Sequence, residues 1–165
     1  MLYLRQAALD DGRDIYDMLQ RIGANENGFI NSAKDMDYAE FPAWLAKKVD
    51  MARGIGLEDW MVPAGTYWLM ADGVPVGQGN LRHRLTDALR EAGGHIGYAV
   101  ASDQRGKGYG KELLRLLLEE ARRIGITEEI LVTVYPDNTA SRHVAEANGG
   151  ELRRETEARA YYWFR

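Results

Sequence analysis

The stretch from His95 to Ile124 constrains the fold more than any other part of the chain. His95 to Val100 is a compact β-prone run, Gly106, Gly108 and Gly110 alternate through the loop behind it, and Gly110 to Ile124 reads as a helix ended near Gly125. Leu113, Leu114, Leu117 and Leu118 stripe one face of that helix, with Lys111, Arg115, Glu119 and Arg122 largely on the other. A leucine face must be covered by another layer. A strand leading through a glycine loop into such a helix therefore predicts an α/β arrangement.

The flanking segments extend that prediction. Leu2 to Ala7 alternates as a first strand, and Asp10 and Asp11 are placed to cap a helix carrying Ile15, Met18, Leu19 and Ile22 on one side, stopped near Gly23. Asn25 to Asp35 is rich in Asn, Gly and Ser and reads as a loop; Phe41 to Met51 reads as a second helix, followed by a loop over Ala52 to Ala64. Thr66 to Met70 and Val74 to Leu81 flank Ala71-Asp72-Gly73, a strong hairpin signal. A loop or short turn spans Thr86 to Gly94, and Ile130 to Val134 reads as a buried strand. Asn138 caps a helix that Gly149 and Gly150 stop, and two short strands, Glu151 to Thr156 and Ala160 to Phe164, finish the chain. The expected fold is one α/β domain over residues 1–165, a mixed, partly splayed sheet of about seven strands with helices on both faces.

Composition excludes several classes of function. With no cysteine, the chain forms no disulfide, no thiolate metal site and no thioester on a Cys nucleophile. A net charge of −4 gives no general attraction to nucleic acid, and Arg82, Arg84 and Arg105 lack the interleaved aromatic residues of a nucleic-acid face. No apolar run is long enough to span a bilayer, and Met1 to Asp10 lacks the apolar core of a secretory signal, so a cytoplasmic location is expected. No metal is expected.

The loop itself carries the chemistry. Gly106, Gly108 and Gly110 let the backbone approach a ligand closely, the first amides of the helix point outward with the positive end of its dipole, and Arg105, Lys107 and Lys111 add charge. A tight strand-to-helix turn would account for the glycines alone, but the combination suits a pyrophosphate. Lys107 is followed by Gly108 rather than Ser or Thr, so a triphosphate-binding P-loop fits poorly. The glycines also fall late in the chain and alternate, unlike a dinucleotide fingerprint.

Arg105, Gly108 and Gly110, followed by Asn138, Ser141 and the closing Asn148-Gly149-Gly150, resemble the two hallmarks of the GNAT superfamily of acetyl-CoA-dependent N-acetyltransferases. Tyr67-Trp68, Arg82-His83-Arg84-Leu85 and Gly93 to Tyr98 look like those of a bacterial group of predicted acetyltransferases. The resemblance implies that backbone amides over Arg105, Gly106, Lys107, Gly108, Tyr109, Gly110 and Lys111 hold the pyrophosphate of acetyl-CoA. It implies that Tyr98, Ala99 and Val100 pair by their backbone with pantetheine in a V-shaped gap between splayed strands. Asn138 would bond pantetheine and Ser141 the far end of the coenzyme. The activity implied is acetyl transfer to a primary amine of a small molecule or peptide, and the absence of cysteine favours direct attack in a ternary complex with an oxyanion donor near Ala99 or Val100.

The acid and base are less defined. Many family members carry a tyrosine acid seven residues after the capping Asn, where this chain has Ala145, which leaves Tyr98, Tyr135, Tyr161 and Tyr162 as candidates. Among three histidines, His95 and His83 are candidate bases, His95 on the acceptor's side of the gap, whereas His143 reads as a surface residue. Glu91 and Asn25-Glu26-Asn27 are candidates for lining the acceptor pocket, and Arg82 and Arg84 would meet an acidic group on the acceptor or pair with carboxylates of the chain. The loss of the usual acid keeps open an alternative, a non-catalytic acyl-CoA-binding or sensing module. Tyr161 to Phe164 form a dense aromatic group that would suit a homodimer interface.

Overall fold

The computed structural model describes residues 1–165. Strand β1 (Leu2–Gln6), β4 (Ala64–Ala71), β5 (Val74–Arg82) and β6 (Ile96–Val100) form one sheet in the order β1-β4-β5-β6. Strand β7 (Ile130–Val134), β9 (Ala160–Phe164) and β8 (Glu151–Glu155) form a second in the order β7-β9-β8. These are the seven strands expected, and every ladder is antiparallel. A two-residue pair, β2 (Asn25–Glu26) with β3 (Phe29–Ile30), stands apart.

Both faces of the first sheet are covered, and strand β4 shows why. Its side chains alternate: Tyr67 and Leu69 join one core cluster with Leu113, Leu114 and Leu117 of helix α4 (Tyr109–Arg123). Trp68 and Met70 join the other, with Ile15, Met18 and Leu19 of α1 (Arg13–Gln20) and Phe41, Trp44 and Leu45 of α2 (Phe41–Ala52). The leucine stripe of α4 is therefore spent on the sheet, at roughly 1.5–3 kcal/mol for each fully buried leucine. Helix α5 (Thr139–Ala147) packs beside α4 and against β7. No helix is long and apolar enough to cross a membrane.

Several local expectations change. Helix α1 starts after Gly12 with no side-chain cap; Asp11 instead accepts bonds from Trp68 Nε1 at 2.7 Å and the Ala8 amide at 2.8 Å, because a buried indole N–H needs a partner more than an exposed helix end does. The Asn25 to Asp35 segment contains the β2–β3 hairpin, whose turn residues Asn27 (φ 52°) and Gly28 (φ 93°) take the left-handed conformations of a tight hairpin. Thr86 to Gly94 contains a short helix α3 (Asp87–Glu91), its start capped by the Thr86 side chain. Most of the C-terminal aromatic group is buried within the chain: Tyr161, Tyr162 and Phe164 lie in its own core, and the partly exposed Trp163 lies beneath the Arg153 guanidinium.

The two sheets meet at one point. His95, just before β6, donates its amide to the Leu131 carbonyl at 2.8 Å, and no ladder joins β6 to β7 beyond it. Gly94 (φ 61°) makes this junction possible, since a Cβ there would lie 2.5 Å from the Leu131 carbonyl oxygen. From that vertex β6 and β7 run as edges of separate sheets, and the cleft opens between them.

Candidate active site

The cleft has two halves. One, about 420 Å³, is lined by Tyr98, Ala99 and Val100 of β6, the loop from Gln104 to Gly108, the first turn of α4 and the start of α5. Of the twelve residues expected to hold the coenzyme, eleven line this half: Tyr98, Ala99, Val100, Arg105, Gly106, Gly108, Tyr109, Gly110, Lys111, Asn138 and Ser141. Lys107 does not, and its ammonium bonds Gln104 Oε1 at 3.0 Å.

The loop's backbone explains its glycines individually. Gly106 (φ 77°) and Gly108 (φ 82°) are left-handed, and a Cβ at either would meet nothing within 4 Å. Their need is conformational, and the space beside them is open to a ligand. Gly108 caps α4 with no side chain bonded to the helix end, so the first amides of a fifteen-residue helix have no capping partner. Gly110 differs: it is helical, and a Cβ there would reach ordinary contact, 3.8 Å, with Tyr98 and Val144. Arg105 is held at 2.8 Å by Glu26, which also accepts the Gly23 amide. These bonds, the Gly23 amide first and Arg105 beside it, lower the Glu26 pKa against its partial burial.

Strand β6 presents a free backbone edge to the same half. The Arg82 amide bonds the His95 carbonyl and the Ala101 amide bonds the Val76 carbonyl, so the carbonyl of residue 95 and the amide of residue 101 point at β5. Alternation turns Gly97 and Ala99 the same way and leaves the amides and carbonyls of Tyr98 and Val100 facing the gap. An extended amide chain can pair there as an added strand.

The other half, about 210 Å³, is assembled from separated segments: the β2–β3 hairpin, Asn80 and Arg82 of β5, Gly93, the start of β6, Val132 to Tyr135, and Arg159 from the turn between β8 and β9. Its side chains are partly fixed. Tyr135 lies 3.2 Å from where a Gly28 Cβ would be, and the Arg159 guanidinium sits 4.7 Å above its ring. Arg82 donates through Nη1 to the carbonyls of Gly93 and Gly94 at 3.3 and 3.2 Å. The halves share Glu26, Asn27, Tyr98, Asn138 and Ser141.

Tyr98 sits where they join. Burial raises the pKa of its hydroxyl, with the Ser141 side chain offsetting part of the rise, so it stays protonated at neutral pH. Asn138 accepts the Ser141 amide at 3.2 Å and donates to Ser141 Oγ at 2.9 Å, so it caps α5 and faces the cleft together. His95 is placed elsewhere: its ring is fully buried, Nδ1 accepts the Leu131 amide at 2.9 Å, and Nε2 lies 3.2 Å from Glu128. Burial lowers its pKa, against the pull of Glu128, so the ring is neutral and both nitrogens are engaged at the vertex rather than in the cleft.

No histidine lines either half. Tyr161 bonds the Glu91 carbonyl, Tyr162 bonds Arg142 and Glu146, and Glu91 pairs with Arg154, so none of the three reaches the cleft. Ala145 is buried in the core and His143 is exposed. Sequence reasoning missed Asn80, Thr133 and Arg159 as lining residues; none carries a motif. The Asn27-Gly28 pair was the one signal for the hairpin overhanging the cleft.

Residues 30–149 match the model of the Acetyltransferase (GNAT) family, and the chain belongs to that family. No curated protein matches it in sequence. Among solved structures it is similar to RimL, a ribosomal-protein alpha-N-acetyltransferase in complex with coenzyme A, with a TM-score of 0.71 at 16% identity over 98% of this chain and 92% of that one. It is also similar to a GNAT-family acetyltransferase from Streptococcus pneumoniae, TM-score 0.61 at 17% identity, covering 99% and 97%. A third similar structure is the aminoglycoside acetyltransferase AAC(6')-Ib in complex with coenzyme A, TM-score 0.61 at 20% identity, covering 99% and 93%. At these identities the structural likeness speaks to the fold.

Proposed function

We propose that this chain transfers the acetyl group of acetyl-CoA to a primary amine by direct attack in a ternary complex. The observation that carries the reading is the continuity of the two halves around Tyr98: a backbone-built groove suited to a coenzyme opens into a side-chain-lined pocket suited to an acceptor. The pyrophosphate would rest on the amides over residues 105–111 and the pantetheine would pair with the free edge at Tyr98 and Val100. Family membership and coenzyme A in two of the similar structures support this, and those structures' names include protein and aminoglycoside acetyltransferases.

In this reading the neutral amine attacks the thioester carbonyl, an outward amide of β6 bonds the developing oxyanion, and as the C–S bond breaks the Tyr98 hydroxyl gives its proton to the departing thiolate, regaining one through solvent as the new amide nitrogen sheds its own. Neither a histidine nor a carboxylate of raised pKa faces the pocket, so the amine loses its proton to water or enters already neutral. Turnover should therefore climb with pH along the acceptor's own titration. For an alkylamine like that of lysine the ordinary pKa is about 10.4.

Ala145 in place of the usual tyrosine supports a second reading, a binding module without catalysis. Calorimetry with acetyl-CoA and a thiol-release assay against an amine panel separate the two. An enzyme binds acetyl-CoA and releases coenzyme A only when an amine is present; a module binds it and releases none.

A further inference from the structure

The acceptor half is basic, and its positive charges are unspent. Three charged side chains line it: Glu26, Arg82 and Arg159. Glu26 is already committed to Arg105 and to the Gly23 amide. Arg82 and Arg159 have no carboxylate partner anywhere in the chain, although thirteen other cation–carboxylate contacts on this protein involve an arginine or lysine side chain. Arg82 is partly buried and desolvation lowers its pKa, yet only Nη1 is hydrogen-bonded and only to backbone carbonyls. Lys48 lies close enough to feel its charge. Arg159 bonds only the Ala158 carbonyl and is held by the Tyr135 ring.

A burial cost borne without a carboxylate partner is what a site for an incoming anion looks like. Arg82 of β5 and Arg159 of the turn between β8 and β9 line the same space. The space, about 210 Å³, is below the roughly 300–1,000 Å³ of drug-sized pockets and admits a small molecule or one end of a longer chain.

We infer that the acceptor is a small primary amine carrying an anionic group, a carboxylate or a phosphate, which Arg82 and Arg159 hold while its amine reaches the thioester beside Tyr98. This rests on the acetyltransferase reading proposed above. A cationic polyamine would meet the same two guanidiniums unfavourably, which makes the charge of the acceptor a specificity choice.

The test uses matched pairs in the thiol-release assay: β-alanine against propylamine for the carboxylate, phosphoethanolamine against ethanolamine for the phosphate, with spermidine as the cationic probe. The anionic member of at least one pair should show kcat/KM about ten-fold or more above its neutral mate, and which pair does so distinguishes the two anions. In Arg159→Gln the ratio should fall toward one and in Arg159→Lys recover in part; Arg82→Gln should do the same if it folds. Equal rates within both pairs, or preference for spermidine, overturns the inference. If no probe turns over, calorimetric titration of the coenzyme-A-loaded protein with β-alanine and phosphoethanolamine decides: binding weakened by Arg159→Gln upholds the anion site, and no binding overturns it. A protein that fails to bind coenzyme A at all overturns the acetyltransferase reading instead, and this inference with it.

Discussion

The two halves of the cleft are built from different materials. The coenzyme half comes largely from one run of chain, Tyr98 to Lys111, and offers mostly backbone: left-handed glycines, uncapped helix amides and a free strand edge. The acceptor half is gathered from segments as distant as Asn27 and Arg159 and offers side chains. Backbone sites depend on conformation and tolerate changes of charge, whereas side-chain sites depend on the particular group. Substitutions should therefore behave oppositely in the two halves.

Where the halves meet, Tyr98→Phe should have the largest effect. Removing a proton donor that acts in the transition state is expected to lower kcat about 100-fold or more while leaving the acetyl-CoA Kd within about two-fold. Because burial raises the Tyr98 pKa, the wild type should keep its activity to a higher pH than an ordinary tyrosine would allow, and lose it only as the hydroxyl ionises. Equal loss of binding and turnover would make Tyr98 a wall of the groove and not an acid.

Gly108→Val comes next. At φ 82° a β-branched residue is strained, and the loop would have to rearrange the amides that should face the pyrophosphate. The acetyl-CoA Kd should rise about 30-fold by calorimetry, with a thermal midpoint lowered only modestly because the added Cβ meets no atom within 4 Å. Tight binding by this variant would move the coenzyme site elsewhere.

His95→Phe tests the vertex. It strands the buried Leu131 amide and should cost about 1–3 kcal/mol of stability, with any fall in turnover following from a loosened cleft. The sign of its pH dependence is fixed by the lowered pKa: below the unfolded value of 6.5 the unfolded state binds more protons than the folded one, so stability falls as pH drops through that value toward the folded pKa. Above 6.5 this contribution is fully present. His83, also lowered by burial, adds in the same direction, so His95→Phe should reduce the acid slope without abolishing it. Lys107→Ala should have the smallest effect, about two- to three-fold on acetyl-CoA Kd, since the ammonium bonds Gln104 and the amides remain.

The same division explains what was legible in the sequence. The leucine stripe of α4, the Asp72-Gly73 hairpin and the alternating glycines act on near neighbours, so their consequences can be read locally. His95 could not be placed that way. A histidine in a strand looks like a base until Leu131 and Glu128, both more than thirty residues away, are seen to occupy its nitrogens. Tyr161, Tyr162 and Phe164 were not readable locally either, because a dense aromatic run is equally consistent with a core and an interface; Tyr162 and Phe164 share a core cluster with leucines of α4 and Ala145 of α5, and Tyr161 is buried beside Arg154. Arg159 lay in a polar turn with nothing to mark it; the fold of β8 onto β9 alone brings it to the pocket.

In the proposed function a coenzyme lies along β6 with its reactive end at Tyr98. A crystal structure of the protein with coenzyme A tests it most directly. The pyrophosphate is expected on the amides over residues 105–111, pantetheine bonded to the backbone of Tyr98 or Val100, and the thiol at the junction within reach of the Tyr98 hydroxyl. A coenzyme bound outside the cleft, or a thiol pointing away from Tyr98 and the acceptor half, would contradict it.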